Sequence, residues 1–442
     1  MNQYETEALS GILASFNYEI VDFASKANVY IINTCTVTGL ADSKCRQMIR
    51  RAKKLNPDAV IVAMGCYSQV EPEEVAKMEE VDIILGTDSR KLLPEVLREY
   101  NSVPLSRAGR GKPFIMVNDI RSVHEFEELG IENYTCHTRA FLKIQDGCDN
   151  FCAYCIIPYA RGSVRSKDPD KIIRDINNLV SKGFKEFVLT GINLSSYGKD
   201  LKNTGLLEII GEVCSISGVK RLRLGSVEPG IITQDFIDLV KSQRKICPHF
   251  HISLQSGSDS VLQRMGRKYK TQEYYNKCLS LKEHVKDVSL TTDIIVGFPG
   301  ETEEEFTETL KFCEKIHFSK IHIFKYSPRR GTPAAIMPGQ IPMKIKEERS
   351  AHLIELSDKL GTDFAEKMIG KSVNVLIEKS DPINNTYEGY CENYLKVICE
   401  TEARSDTSQN RTLMPTELKV GEIVSVFIEK NITECLCGKI NL

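Results

Sequence analysis

No apolar run in this 442-residue chain approaches the length of roughly 20 residues that a membrane-spanning helix needs. No basic, then apolar leader stands before the first helix-like segment either, so neither secretion nor membrane anchoring is expected. A charge excess is also missing: the net charge is −2, and any nucleic-acid contact has to come from local basic patches. Low-complexity tracts are absent, as is any internal repeat beyond alternating strand and helix signals. Hydrophobic residues at 41% and charged residues at 27% describe an ordinary globular chain, long enough for two or three domains. Cysteine, by contrast, is plentiful. Fifteen of them without a leader argue for metal binding and buried thiols in a reducing cytoplasm, not for a disulfide framework.

Taken in order, Gln3–Phe16 reads as an amphipathic helix with Ala8, Ile12 and Phe16 on one side. The run from Val29 ends in Asn33-Thr-Cys35-Thr-Val-Thr38, a basic helix follows, and the run from Ala59 ends in Gly65-Cys66-Tyr-Ser-Gln. With a third run, Val81–Gly86, this alternation predicts an open parallel α/β domain over residues 1–105. Cys35 and Cys66 fall just past the carboxyl ends of their strands, the edge at which such sheets bind ligands. Residues 106–133 read as a linker. Six further strand signals (Ala140–Gln145, Glu186–Thr190, Arg221–Leu224, His249–Leu254, Ser289–Val296 and Lys320–Tyr326) predict a partial (β/α)6 barrel over residues 134–366. Residues 367–442 turn to short alternating runs, the signature of a small antiparallel β-barrel.

The strongest local signal is Lys143-Ile-Gln-Asp-Gly-Cys148-Asp-Asn-Phe-Cys152-Ala-Tyr-Cys155, directly after the first barrel strand. Three thiolates at this spacing can hold three corners of a 4Fe-4S cubane, leaving one iron open. The alternatives are a zinc site, which wants a fourth ligand nearby, or buried thiols at chance spacing. The triplet resembles that of the radical S-adenosylmethionine (AdoMet) enzymes, and the resemblance implies that the open iron chelates AdoMet. Candidate AdoMet contacts follow the strands: Gly191 and Asn193, Glu228 for ribose hydroxyls, and Gln255, which shares a face with His251 and Ser253; Tyr154 is a candidate for the adenine. A plain turn, a surface carboxylate, a core histidine and simple burial are the competing readings. Lys44, Arg46, Arg50, Arg51, Lys53 and Lys54 on the basic helix, with Arg161, Arg165 and Lys167 after the triplet, are candidate RNA contacts or merely solvated charge. Residues 368–442 carry eight Lys/Arg against eleven Asp/Glu, which argues against an electrostatic clamp there. Cys45, Cys136, Cys214, Cys247, Cys278, Cys313, Cys391 and Cys399 lack ligand spacing and read as buried thiols, and Cys435 and Cys437 as core.

These segments together resemble the methylthiotransferases, radical-AdoMet enzymes with an N-terminal auxiliary-cluster domain, a radical-AdoMet barrel and a C-terminal TRAM domain. The resemblance covers nearly the whole chain. It implies a second 4Fe-4S cluster on Cys35, Cys66 and a third cysteine from a Gly-Cys-x-x-Asn-Gln segment. Only the tail of that segment, Asn2-Gln3-Tyr4-Glu5, is present, so the resemblance places the cysteine and the domain's first strand upstream of Met1. It further implies that one AdoMet methylates a sulfur at the auxiliary cluster, while a second yields the radical that opens the substrate C–H bond. A low-potential electron donor is then required. The wording is closest to the branch that methylthiolates C2 of N6-threonylcarbamoyladenosine at tRNA position 37, which makes the anticodon stem-loop the expected partner. The branches acting on isopentenyladenosine or on a ribosomal protein, and a non-catalytic iron–sulfur RNA-binding protein, are the alternatives.

Overall fold

The computed structural model describes residues 2–102, 112–130, 138–202, 204–381, 383–400, 404–406, 411–413, 418–432 and 435–440. Cys136 lies outside them. The N-terminal unit opens with α1 (Asn2–Ser15) and continues β1 (Val29–Thr34), α2 (Gly39–Leu55), β2 (Val60–Gly65), α3 (Cys66–Val70), α4 (Pro72–Ala76), β3 (Ile83–Leu85), α5 (Leu93–Ser102) and β4 (Phe114–Met116). Its sheet runs β1-β2-β3-β4, parallel throughout. β2 is buried along its whole length because helices cover both faces of the sheet. Val60, Val62 and Met64 meet Leu9, Leu13, Leu93 and Leu97 on one side. Ile61 and Ala63 meet Cys45, Ile49 and Ala52 of α2 on the other. Those three α2 positions recur at helical spacing, and the Thr38 hydroxyl caps the helix by accepting from the Ala41 amide at 3.2 Å.

α1 departs from the single apolar face expected of it. Leu9 and Leu13 pack on the N-terminal sheet, Tyr4 and Ala8 enter the core of the barrel, and Phe16 is exposed. A helix wedged between two bodies buries two faces, so its apolar residues do not form one stripe. Residues 106–133 are likewise more than a linker. Within them β4 pairs with β3, Glu127 receives the Arg90 side chain at 2.8 Å, and Leu129 joins the barrel core.

The barrel comprises β5 (Arg139–Asp146), α6 (Ile157–Arg161), β6 (Arg165–Ser166), α7 (Pro169–Ser181), β7 (Glu186–Gly191), α8 (Leu206–Ser215), β8 (Arg221–Leu224), α9 (Gln234–Ser242), β9 (His249–His251), α10 (Asp259–Arg264), α11 (Thr271–His284), β10 (Ser289–Val296), α12 (Glu303–Ile316), β11 (Lys320–Lys325) and α13 (Met343–Glu366). β5-β7-β8 and β9-β10-β11 are parallel sets, joined by bridges Leu222–Ile246 and Val227–Ile252. β6 adds a short antiparallel edge to β5. β9 is shorter than the expected His249–Leu254. Beyond it the Leu254 amide donates to the Thr292 hydroxyl at 3.0 Å instead of to a carbonyl, so the ladder is interrupted, and Gln255 has φ 74°.

β12 (Ser372–Asp381), β13 (Thr386–Cys391), β14 (Lys396–Glu400), β17 (Ile423–Ile432) and β18 (Cys435–Ile440) close a five-stranded barrel, with β15 (Arg404–Asp406) and β16 (Arg411–Leu413) paired beside it. The expected all-antiparallel arrangement is corrected at one seam, where β14 and β18 are parallel. A closed ring with an odd number of strands must contain such a pair. Cys435 and Cys437 are half-exposed, because Leu436 and Gly438 take the inward positions of β18.

Candidate active site at the carboxyl edge of the barrel

The cysteine loop is shaped by close backbone packing. Gly147 has φ 72°, and a Cβ there would lie 1.8 Å from the Ser163 carbonyl oxygen. The Cys148 amide donates to the Gly162 carbonyl at 2.9 Å, and the Cys155 amide to the Cys152 carbonyl at 2.9 Å. Gln145, at the end of β5, turns its amide nitrogen onto the Asp146 and Gly147 carbonyls at 2.7 and 2.8 Å. Its oxygen accepts from the Asn193 amide at 2.7 Å, which ties the loop after β7 to the cysteine loop. Asn193 then approaches Cys148 Sγ at 3.8 Å through Nδ2, while its Oδ1 is buried without a partner. Glu228 accepts from Asn150 at 2.8 Å and from Arg267 at 3.1 Å. Arg267 also donates to Cys152 Sγ at 3.2 Å.

Among the described residues no three His, Cys, Asp or Glu stand in closed metal-ligating geometry. The three thiols are still near enough to act on one another electrostatically. Burial pushes the Cys155 thiol up to about 12 and raises Cys148 as well, so a metal has to displace protons as it binds. An amide donor and a guanidinium aimed at the sulfurs, and an orphaned carbonyl beside them, fit a thiolate-bound cluster with a polar ligand.

The N-terminal cysteines face the same edge. β1 and β2 are paired in register through Thr34–Gly65, so Cys35 and Cys66 emerge side by side. Gly65 has φ 102°, and a Cβ there would stand 2.7 Å from the Thr34 carbonyl oxygen, a cradle that only glycine permits. Cys66 Sγ accepts from Arg161 Nε at 3.1 Å. Burial raises the Cys66 thiol and Arg161 pulls it back down. That arginine belongs to α6, the segment immediately following the barrel cysteines, so one side chain links the two cysteine sets. Glu5 receives both Arg161 and Arg90, and Asp146 receives Lys143, with Arg161 at 3.3 Å. All five are at most 1% exposed. With Glu127, and with Arg165 at 3.8 Å from Asp146, they make four cations against three carboxylates, drawn from both domains and the segment between them.

Several expectations change here. Arg161, Arg165 and Lys167 are buried ion-pair partners of Glu5, Asp146 and Asp175, not a surface for RNA. The basic face of α2 is solvated and partly spent on Glu80, Asp82 and Tyr67. Gly191 is required by Gln145, whose Oε1 would lie 2.7 Å from a Cβ. Tyr154 packs edge-on against Phe298 at 6.4 Å. His251 bonds Asp293 at 3.0 Å. Gln255 lies at the end of this edge in a left-handed turn. Glu5, Gln145, Asn150 and Arg267 were not anticipated as site residues, and Arg161 was anticipated only as an RNA contact. Gln145 alone had a local signal, its place at a strand end two residues before a glycine.

A three-cysteine loop at the carboxyl edge of a partial β/α barrel defines a radical-AdoMet protein. The Radical SAM superfamily model matches residues 142–313, and the model described as Uncharacterized protein family UPF0004 matches residues 1–86. The chain is 41% identical to threonylcarbamoyladenosine tRNA methylthiotransferase MtaB of Bacillus subtilis, over 97% of this chain and 92% of the relative. It is 42% identical to the MtaB of Aquifex aeolicus, over 89% and 95%. It is also 36% identical to tRNA-2-methylthio-N(6)-dimethylallyladenosine synthase of Acetivibrio thermocellus, over 87% and 80%. Among solved structures, the radical AdoMet methyltransferase TsrM of Kitasatospora setae superposes with a TM-score of 0.57 at 14% identity, covering 75% of this chain and 74% of that one; this likeness concerns the fold alone. The chain belongs to the radical-SAM methylthiotransferase family, MtaB type. The family implies a 4Fe-4S cluster and AdoMet as cofactors. No helix among the described residues is long and apolar enough to cross a membrane.

Proposed function

We propose that this protein is a tRNA methylthiotransferase that places a methylthio group on C2 of N6-threonylcarbamoyladenosine at position 37. The reading extends the activity named for its MtaB relatives to this chain. Cys148, Cys152 and Cys155 hold the radical cluster. Cys35 and Cys66 supply two thiolates to a second 4Fe-4S cluster. Residues 1–105, 134–366 and 367–442 act as auxiliary-cluster, radical and TRAM units. When bound, the radical cluster and AdoMet supply one-electron chemistry strong enough to open an adenine C–H bond that no acid–base group can activate. The chain's own residues orient and shield. Asn193 and Arg267 donate to the cluster sulfurs, Glu228 holds Asn150 and Arg267 in place, and Gln145 locks the loop. Tyr154, Gln255 and Gly191 are the remaining candidate AdoMet contacts. An anticodon stem-loop is the substrate element, since its unstacked bases are splayed at little cost. A low-potential donor supplies the electron.

The observation that carries the two-cluster reading is the 3.1 Å contact between Arg161 and Cys66, which brings both cysteine sets to one edge. Iron and acid-labile sulfide after anaerobic reconstitution test it, on this chain and on one that also carries the third cysteine implied by the resemblance: about eight irons in the latter and about four here support two cubanes, and about four in both mean one. Mass spectrometry of tRNA nucleosides from a deletion strain tests the substrate. Loss of the methylthio form of threonylcarbamoyladenosine supports the proposal. Loss of the dimethylallyl-type product alone, or of a modified ribosomal protein, sinks it.

A further inference from the structure

A full positive charge touches one sulfur of the barrel triplet. Arg267 Nη1 donates to Cys152 Sγ at 3.2 Å, and the arginine does not depend on that sulfur for its place. Its Nη2 donates to Glu228 at 3.1 Å and its Nε to the Tyr269 hydroxyl at 3.1 Å, with the guanidinium 4.9 Å from the centre of that ring. The Tyr269 hydroxyl is anchored in turn, 2.7 and 2.8 Å from the Ser253 and Leu254 carbonyls. The backbone of the same segment is fastened to the cysteine loop, because the Ala153 amide donates to the Met265 carbonyl at 2.9 Å. The side chain of Arg267 is 6% exposed and that of Glu228 30%. A planar guanidinium has donors enough to face three acceptors at once, so two anchors outside the triplet aim the third donor at the sulfur. Glu228 Oε1 accepts from both Arg267 and Asn150, so one carboxylate holds the cation and the cysteine loop together.

A cation fixed against a ligand sulfur favours the more negative of two charge states of whatever that sulfur binds. Charge and hydrogen bonds at the sulfurs are what tune iron–sulfur reduction potentials. In the one-electron chemistry proposed for this edge, a low-potential donor passes one electron to the radical cluster. The donor is oxidised and the cluster reduced; no bond forms or breaks, and no proton moves. One unit of negative charge is then added beside Arg267, in a site too buried for solvent to screen it fully. We propose that Arg267 is a positioning residue that raises the reduction potential of the radical cluster, and that Glu228 acts on that potential with the opposite sign. The inference rests on the cluster placement proposed above and adds what makes the cluster reducible. Asn193 offers Cys148 only an uncharged amide at 3.8 Å, and its effect on the potential is expected to be smaller.

The test is a redox titration of the anaerobically reconstituted full chain, followed by electron paramagnetic resonance with iron content measured alongside. The signal read is the one that changes when excess AdoMet is added, which separates it from any second cluster. Arg267→Gln keeps an amide donor but loses the charge, and its midpoint potential is expected to fall. Arg267→Lys keeps the charge and should fall less. Glu228→Gln removes the opposing charge, and its midpoint should rise. The opposite signs are what a purely structural role would not produce, since a loosened loop moves both variants the same way. Lys268→Gln, at the neighbouring exposed position, should leave the midpoint where it is. If Arg267→Gln holds no iron, Glu228→Gln and Arg267→Lys decide alone, by a rise in the first and a fall in the second. Midpoints that stay unchanged, or that shift in the same direction, at wild-type iron content overturn the inference and leave the function standing. An AdoMet-sensitive signal of wild-type size in Cys152→Ala overturns the cluster placement itself.

Discussion

The two ends of the barrel are docked to their neighbours by different chemistry. At the carboxyl end the N-terminal unit is joined through charge against charge: Glu5, Arg90, Lys143, Asp146 and Arg161, all buried. At the amino end the C-terminal barrel is held by arginines that donate to backbone carbonyls and by two less buried ion pairs, Arg139–Glu378 at 2.7 Å and Lys371–Asp287 at 2.6 Å. Arg223 reaches Cys391 and Glu392 at 2.7 and 2.8 Å, and Arg221 reaches Tyr390 at 3.2 Å, while Glu186 balances both. A buried charge network has one low-energy arrangement, because each ion depends on its partners. It therefore suits the end where thiols have to be presented in register. Carbonyl docking asks only for backbone position, and it leaves a cavity of about 400 Å³ beside it.

The largest effect expected separates the chemistry from the docking. On the proposed function Cys152→Ala removes a cluster ligand and should abolish 5′-deoxyadenosine production, measured by chromatography; retained production would break the radical-AdoMet assignment of this loop. Next, Arg161→Met strips a buried cation from two carboxylates and one sulfur. It should cost about 3–5 kcal/mol in denaturant unfolding, the range for breaking a buried ion pair. Arg223→Met should cost less, about 1–3 kcal/mol, because Arg221 still faces Glu186 and the freed carbonyls lose only hydrogen bonds. Equal costs at the two ends would erase the distinction between them.

Acid sharpens the same comparison. Glu5 is held well below the ordinary carboxylate range by Arg161, Arg90 and Lys143 against the burial that raises it, and Asp146 is held low by Lys143 and Arg161. Glu186 is lowered by Arg223 and Arg221. A carboxylate whose folded pKa lies below its unfolded one contributes stability that is fully present above the unfolded value and is lost as pH falls toward the folded one. Urea midpoints should hold, as far as these groups are concerned, down to pH of about 4 and fall below it. Glu5→Gln should flatten that acid limb more than Glu186→Gln, since each carboxylate faces three cations but Glu5 is held further below its ordinary range. Glu228→Gln keeps shape but weakens two charge-assisted bonds, and should raise the AdoMet Kd about five- to tenfold by calorimetry. Lys77→Ala, in the exposed pair with Glu74, should leave the melting temperature unchanged.

The parts of this protein that were legible beforehand share one property, short range. Cys148, Cys152 and Cys155 declare themselves by spacing, and the strands after which Cys35, Cys66, Asn193 and Glu228 fall declare themselves by apolar runs ending in turns. The parts that were not legible depend on contacts distant in the chain. Arg161 reads as one more cation after the triplet, and only its approach to Glu5 and Cys66, 156 and 95 residues away, shows what it does. Arg267 meets Cys152 across 115 residues. β4 was hidden because three residues are too few to show a period. The parallel seam between β14 and β18 was hidden because strand direction in a closed ring follows from strand count.

By itself, then, the sequence determined the three-part architecture, the order of the β/α units, the cysteine triplet and the family, since each is written in local period or spacing. The tertiary structure decided which charges are buried, which cysteines face one another and which end of the barrel holds a cavity. The physical reason is that burial and pairing are properties of surfaces brought together by folding. Lys143 and Lys167 look alike in the sequence as cations flanking the cysteine loop; one joins the buried charge network between two domains, and the other closes a local pair with Asp175.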